Sequence, residues 1–490
     1  MAGNDIMENW LIKQVKLAPH RLALMYEDKT WTFKQLQDAV YRIAKKLVGF
    51  DKRLGKRTAL ITGNTPASYF MILALQQIGV QPVLLNFRLA FAELERQRKD
   101  AGVVVMFVDD SLKKQFSEFV KSNENYYFIS EIKKFKTGKL KIIPTFEDES
   151  IASIMYTSGT TGRPHGVLQT YRNHFFSAIG SVLNLGLEAD DQWLCAVPIF
   201  HVSGLSIMMR SLIYGTGVVL VPHFDPVKIS ELLATRPISI MSVVPVMLKR
   251  LLEVYPSGGY NNAFRTFLLG GAPIAAAILN DCRQKKISVI QSYGMTETCS
   301  QIVALNFADA PSKIGAVGKP LFPVEVRIKG RNHIGEVEVK GPNVARSYLN
   351  DQAGFEAKLT PDGWFKTGDI GFFDEEGFLF IKGRKDEMFI SGGENVFPTE
   401  IEKVYSRVAG IKAIAVVGVF DKEWGQVPCA FVETEKDFKL KVKKLKNYGR
   451  KFLAHYKVPQ RFVVVPQLPR TASGKVKHAE IEKLLSRDAE

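Results

Sequence analysis

Two textures of apolar and polar positions run along the chain, and they change over near residue 315. From about residue 30 to 250, helical spacing alternates with short unbroken apolar runs. Thr32-Phe33-Lys34-Gln35 has the form of a capping box, and Leu36, Val40, Ile43 and Leu47 follow every three or four residues, which predicts an amphipathic helix. Ala59 to Thr62 reads as a strand, and Thr65-Pro66 as the cap of a helix that stops near Gly79, before a strand from Pro82 to Leu85. Val103 to Val108 and Gly217 to Val221 are further strands. The second is followed by Asp225-Pro226, a helix cap with proline at the first helical position, and Ile238 to Val244 and Thr266 to Leu269 continue the series. Such alternation predicts parallel sheets covered by helices. Past residue 315 the strands, such as Glu325 to Ile328 and Gly335 to Lys340, are short and alternating, which suits a small antiparallel subdomain. The last hundred residues hold a helix from Pro398 to Val408, strands Ala413 to Val419 and Cys429 to Thr434, a basic helix near 440–453 and the run Phe462 to Val465.

Composition changes this picture little. A chain of 490 residues with 46% apolar positions has room for more than one core. The longest apolar stretches are interrupted well before membrane-spanning length; Ser206 to Val221, for example, is broken by Arg210. The opening residues, Met1 to Ile6, have neither a basic start nor an apolar core, so no secretory signal is expected. Cys195, Cys282, Cys299 and Cys429 are scattered without Cys-x-x-Cys spacing, which suits reduced thiols in the cytoplasm and argues against structural zinc. The net charge of +16 is concentrated toward the end, at Lys436, Lys439, Lys441, Lys443, Lys444 and Lys446. A solvated helix face accounts for that run, and attraction for small polyanions is the second reading.

Candidate chemistry begins at Tyr156-Thr157-Ser158-Gly159-Thr160-Thr161-Gly162-Arg163-Pro164-His165-Gly166-Val167. An apolar strand, Ile151 to Met155, feeds a loop of glycines and hydroxyls, and such a loop turns many N–H groups toward one point, where phosphate binds. The loop is not the common mononucleotide one, because Gly162 is followed by Arg163-Pro164 rather than Lys-Ser/Thr. There is no Gly-x-Gly-x-x-Gly either, so neither a standard triphosphatase nor a dinucleotide dehydrogenase fits.

The segment resembles the signature loop of the adenylate-forming superfamily: acyl-CoA synthetases, luciferases and peptide-synthetase adenylation domains. Lysine is commoner in that family where Arg163 and His165 stand; the first departure keeps the charge and the second weakens it. The resemblance implies an α/β fold with a large N-terminal domain of two helix-covered sheets plus a small β-barrel-like subdomain, followed by a small mobile α+β C-terminal domain. Residues 1–385 and 386–490 are the expected domains, with the hinge at Asp386.

It also implies roles for particular residues. Thr157, Ser158, Gly159, Thr160, Thr161 and Gly162 would hold the phosphates of ATP. Gly270, Gly271 and Ala272, which end a strand, would border the adenine, where glycine lets backbone lie flat against a ligand. In Gln291-Ser-Tyr-Gly-Met-Thr-Glu-Thr298, Tyr293 offers a ring to a base, Gly294 adjoins it, Thr296 offers a hydroxyl to a phosphate, and Glu297 a hard oxygen to Mg²⁺. Asp369 and Arg384 would hold the ribose. Lys475, in Pro469-Arg-Thr-Ala-Ser-Gly-Lys475, matches the C-terminal catalytic lysine. Gly392 and Gly393 would line a pantetheine tunnel, with Trp424 a stacking candidate for CoA. His201 matches a histidine at the acyl channel.

Closer wording — His201-Val-Ser-Gly-Leu-Ser206, Tyr293 to Gln301 and Gly341-Pro-Asn-Val344 — resembles the 2-succinylbenzoate–CoA ligases of menaquinone synthesis, nearly end to end. Ser203 and Gln301 would then meet the second carboxylate or the ketone of the acid. The sequence supplies no obvious dedicated arginine clamp, though Arg210 would lie close on the next helix. The expectation is a cytoplasmic AMP-forming acid–thiol ligase using a carboxylic acid, ATP, Mg²⁺ and CoA, with no nucleic acid and a homodimer as the default assembly. Another aryl- or fatty-acyl-CoA ligase is the alternative, and a non-catalytic nucleotide- or RNA-binding protein the remoter one.

Overall fold

The structure is a computed structural model. It describes residues 6–50, 54–157, 164–271, 274–331, 333–391, 394–422, 424–436, 438, 440–471, 474–478 and 480–481. The chain packs as two units, one of Met1–Val326 with Val339–Phe365, the other of Arg327–Glu338 with Lys366–Glu490.

The first unit is built on a seven-stranded and a nine-stranded sheet. In the seven-stranded sheet, Arg57–Ile61 pairs in parallel with Gln81–Leu85 on one side and Met106–Val108 on the other. In the nine-stranded sheet, Gln192–Cys195, Ile240–Val243, Thr266–Leu269 and Val289–Met295 lie side by side, all parallel. The expected helices form where caps and spacing put them. Phe33–Val48 starts from a complete Thr32/Gln35 capping box and buries Leu36, Val40 and Leu47. Pro66–Gln77 is capped by Thr65, and Pro226–Thr235 by Asp225. Helix Pro66–Gln77 buries every residue from Ser68 to Gln77, and Val202–Tyr214 every residue from Gly204 to Leu212. Helices apolar on all sides belong inside a core. Leu60 and Leu84 of one sheet and Leu194 and Val218 of the other share that core with them.

Two differences from the sequence reading bear on function. The strand expected from Val103 is only Met106–Val108, although Val103 and Val105 are buried. The other is the strand His165–Thr170, which the sequence pattern leaves unassigned: the Ser/Thr/Gly loop joins it to Ile151–Thr157 as an antiparallel pair, with Thr157 opposite His165.

The second unit takes in most of a four-stranded sheet ordered Glu325–Arg331, Ile334–Lys340, Phe365–Phe373, Leu379–Arg384, its last two strands antiparallel. After it comes a sheet dominated by the hairpin Ile411–Asp421/Gly425–Thr434, with Arg461–Val464 added in parallel. Alternation along these strands feeds both faces. Ile414, Val416 and Val432 pack with Ile401 and Tyr405 of helix Pro398–Tyr405, whereas Val417 and Phe431 pack with Leu468 and Ile481. The basic helix is shorter than expected, Val442–Gly449. It ends at Gly449, where a side chain would collide with the Tyr405 hydroxyl.

Candidate active site

The carboxyl ends of the central parallel strands place Gly270, Gly271, Tyr293, Gly294, Thr296 and His201. Gly270 directly follows Thr266–Leu269, and its N–H donates to the Val243 carbonyl over 3.1 Å. Gly271 follows in the left-handed region, at φ 85°. One strand over, Tyr293, Gly294 and Thr296 stand at or just past the end of Val289–Met295. On the other side Gln192–Cys195 runs out into the turn that ends at His201, which opens helix Val202–Tyr214. Open parallel sheets bind ligands at this edge. Gly294 has a packing reason of its own: a Cβ there would lie 2.0 Å from the Ser300 carbonyl oxygen, so glycine is what lets the two strands of this hairpin close.

Glu297 is held from two sides. Its carbonyl accepts the Ala345 N–H over 2.7 Å, and its Oε1 accepts the Tyr348 hydroxyl over 3.0 Å. The Tyr348 ring in turn stacks on His165, with centroids 4.6 Å apart and planes at 22°. His165 Nδ1 is 3.1 Å from Asp351 Oδ2. The residue just past the Ser/Thr/Gly loop is therefore locked into the support of Glu297. The neighbouring Thr296 carbonyl accepts from Gln169 Nε2 over 2.8 Å, tying the same loop to the strand that leaves the hairpin. Thr157 touches the His165 carbonyl at 3.5 Å. Ser158, Gly159, Thr160, Thr161, Gly162 and Ala272 lie outside the described residues.

Among the described residues no three acidic, histidine or cysteine side chains gather as a metal cage. Mg²⁺ that arrives with a nucleotide needs only one or two protein carboxylates, the phosphates supplying the rest, and a fixed, half-buried Glu297 fits that requirement.

Arg210 sits on the buried face of Val202–Tyr214 and is only 2% exposed. Its Nη2 donates to Ser300 Oγ and to Gln301 Oε1, each over 3.2 Å, and its guanidinium lies 5.2 Å from the Trp193 ring centroid. Gln301 passes the chain on to Ser181 Oγ at 3.0 Å. No carboxylate pairs with Arg210 among the described residues, and burial pushes its pKa below the usual guanidinium value. The same burial, with Arg210 adding to it, drops His174 to about 3, so that imidazole is neutral. Of the three acyl-site residues read from the sequence, Gln301 is buried against Arg210, His201 is half-buried at the cap of helix Val202–Tyr214, and Ser203 is exposed on the first turn of that helix.

In the second unit Asp369 and Arg384 face each other in register on adjacent strands. Arg384 Nη1 reaches Asp369 Oδ1 at 3.2 Å and the Thr367 carbonyl at 3.0 Å, and its Nε donates to Asp386 Oδ1 at 3.2 Å. Burial opposes the guanidinium charge, but the two aspartates outweigh it and hold the pKa above its ordinary value. Gly368, at φ 77°, leaves the space that Arg384 crosses; a Cβ would stand 2.8 Å from Nη2. Lys475 is exposed at the end of a tight turn closed by Thr471, whose N–H donates to the Lys475 carbonyl over 2.6 Å and whose hydroxyl accepts the Lys475 N–H over 3.1 Å. Trp424 is 47% exposed and Phe420 81%, both at the tip of the long hairpin. Gly392 and Gly393 lie outside the described residues. Sequence reading missed Tyr348 as a partner of Glu297, since nothing in the spacing joins positions 297 and 348.

Comparison with known proteins gives the family of the chain. The AMP-binding enzyme pattern matches residues 11–349, and the AMP-binding enzyme C-terminal domain matches 400–475. The chain belongs to the AMP-binding enzyme family. Within it, the chain is 46% identical over 477 residues to the 2-succinylbenzoate–CoA ligase of Listeria monocytogenes, covering 97% of this chain and 99% of that one. Among solved structures it resembles o-succinylbenzoate CoA synthetase from Bacillus subtilis in complex with the acyl-adenylate intermediate OSB-AMP, at TM-score 0.92 and 39% identity over 98% of both chains. The same Bacillus subtilis enzyme in complex with ATP and magnesium ion matches at TM-score 0.91 and 38% identity, over 98% of this chain and 100% of that one.

Proposed function

We infer that the chain is an ATP-dependent 2-succinylbenzoate–CoA ligase that works through an acyl-adenylate and serves menaquinone synthesis. Similarity over nearly the full length to ligases of that name, at 46% identity, supports the reading. The observation that carries the choice of acid is Arg210. A buried cation without a counter-charge is costly, and a substrate carboxylate would offset that cost. 2-Succinylbenzoate brings two carboxylates. One reacts, and the other can meet the Arg210–Gln301–Ser300 group.

In the first step a carboxylate oxygen of the acid attacks the α-phosphorus of ATP, the bond to the β-phosphate oxygen breaks, and diphosphate leaves. In the second, the CoA thiol loses its proton and attacks the acyl carbon, the C–O bond to AMP breaks, and the thioester remains. The strand-edge residues Gly270, Gly271 and Tyr293 accept the adenine, Thr296 a phosphate oxygen, and Asp369 with Arg384 the ribose hydroxyls. Glu297 would hold the magnesium, which when bound offsets phosphate charge. Lys475 puts a point charge where negative charge develops in the first step, and turning about Asp386 then withdraws it and presents Gly392, Gly393 and Trp424 to CoA. His201 lines the acyl entrance.

No helix among the described residues is long and apolar enough to cross a membrane. Scattered thiols and the soluble substrates favour a cytoplasmic enzyme, a homodimer by default, that uses its basic charge on ATP and CoA rather than on nucleic acid. The test offers 2-succinylbenzoate, benzoate and octanoate with ATP and CoA and follows AMP and thioester. Turnover confined to 2-succinylbenzoate is expected. Preference for benzoate or octanoate would move the protein to another ligase, and no diphosphate release with any acid would end the reading.

A further inference from the structure

His478 lies three residues beyond Lys475, where the chain leaves the Thr471–Lys475 turn. Its two ring nitrogens face two carboxylates. Nε2 is 2.8 Å from Glu402 Oε1, and Nδ1 is 3.3 Å from Glu387 Oε1; the His478 side chain is 13% exposed. Glu387 is the residue directly after Asp386. Glu402 stands on helix Pro398–Tyr405, and the oxygen that meets His478 also accepts the Val416 N–H over 2.8 Å. One imidazole thus joins the first residue past the hinge to a helix, to the long hairpin and to the exit of the lysine turn. Only Nε2 meets its carboxylate as a hydrogen bond; Nδ1 faces Glu387 as an ion pair, and a ring set between two carboxylates is favoured with both protons on it. Burial works against that charge, but the two glutamates overcome it and raise the pKa to about 10.

The entry side of the turn has its own anchor. Glu433 Oε1 accepts the Leu468 N–H over 2.6 Å and sits 3.5 Å from Arg470 Nη2. Local stability of the exit side would be served by Glu402 alone. The contact to Glu387 is what links the turn to the hinge. With residue 387 fastened to residue 478, a torsional change at Asp386 moves the lysine segment with it. Three residues span at most roughly 10 Å, so slack at 478 passes directly to Lys475.

We propose that His478 is a positioning residue for Lys475, a charged strut between Glu387 at the hinge exit and the lysine turn, acting in adenylate formation and not in thioester formation. This rests on the roles given above to Lys475 and Asp386. The experiment uses the full chain and both half-reactions: ATP–diphosphate exchange with 2-succinylbenzoate, and thioester formation from supplied acyl-adenylate and CoA. His478→Ala should lower exchange on the order of 10- to 100-fold, the cost of misplacing a catalytic group by about an ångström, and leave thioester formation within about twofold. His478→Arg, which keeps a cation able to donate to both glutamates, should restore most of the exchange. An equal fall in both half-reactions, unchanged exchange in His478→Ala, or no rescue by arginine would each overturn the proposal. Should His478→Ala not fold, Glu387→Gln decides the matter, because it spares the Glu402 contact: a selective loss of exchange supports the strut, and unchanged exchange refutes it. Lys475→Ala is run alongside. If that variant exchanges normally, the reading of Lys475 fails whatever His478 does.

Discussion

Tyr348 gives its hydroxyl to Glu297 Oε1 over 3.0 Å while its ring lies against His165, the residue that closes the Ser/Thr/Gly loop. One aromatic side chain thus fixes the carboxylate assigned to magnesium and the exit of the loop assigned to phosphate. Tyr348→Phe removes the hydrogen bond and keeps the ring, including its edge contact with Phe355. A hydrogen bond to a charged group contributes about 1.5–3 kcal/mol, so the KM for MgATP should rise roughly tenfold or more, with little change in melting temperature. Initial rates across a magnesium titration measure it. An unchanged magnesium requirement would detach Tyr348 from the site.

Lys475 is exposed and its turn is closed by main-chain and Thr471 contacts, so its side chain is dispensable for folding. Lys475→Ala should lower acid-dependent ATP–diphosphate exchange by on the order of 3–4 kcal/mol in barrier, yet spare thioester formation from supplied acyl-adenylate. Equal damage to both half-reactions would sink the two-conformation mechanism.

How much of this could be read from residues alone depends on range. Helices Phe33–Val48, Pro66–Gln77 and Pro226–Thr235 were legible because their caps, Thr32, Thr65 and Asp225, are local signals. The glycine and hydroxyl segments were legible for the same reason. What stayed hidden depends on strand order. Nothing near Glu297 announces Tyr348, and nothing near Lys475 announces Glu387 or Glu402. The antiparallel partner of Ile151–Thr157 was hidden because His165–Thr170 alternates too weakly to declare itself a strand. Arg210 was visible only as an interruption in an apolar run. Its meaning came from the helix being buried on every side.

That burial gives the third prediction. Arg210→Met keeps most of the volume and removes the charge, leaving Gln301 and Ser300 without their donor. If Arg210 meets the carboxylate that does not react, kcat/KM for 2-succinylbenzoate should fall about 100-fold or more, as for loss of a buried charge-assisted contact, while monocarboxylic acids lose nothing further. Arg210→Lys should rescue poorly, since an ammonium cannot reproduce a two-pronged guanidinium. A uniform loss across acids would make the residue structural.

The last prediction concerns alkaline pH. His478 has its pKa raised from 6.5 to about 10 in the folded chain, against the opposing effect of burial, by Glu387 and Glu402. A base that binds its proton more tightly when folded stabilises the fold fully below the unfolded pKa, and that contribution drains away as pH climbs through the folded value. Stability from this group should therefore be complete near pH 6.5 and decline steadily to about pH 10, given those two pKa values. Other groups titrate over the same range, so the comparison is with His478→Arg, whose guanidinium stays charged throughout. Thermal melts of the two proteins should diverge above pH 7, the parent losing stability faster. Parallel curves up to pH 10 would mean that His478 does not hold its second proton between the two glutamates.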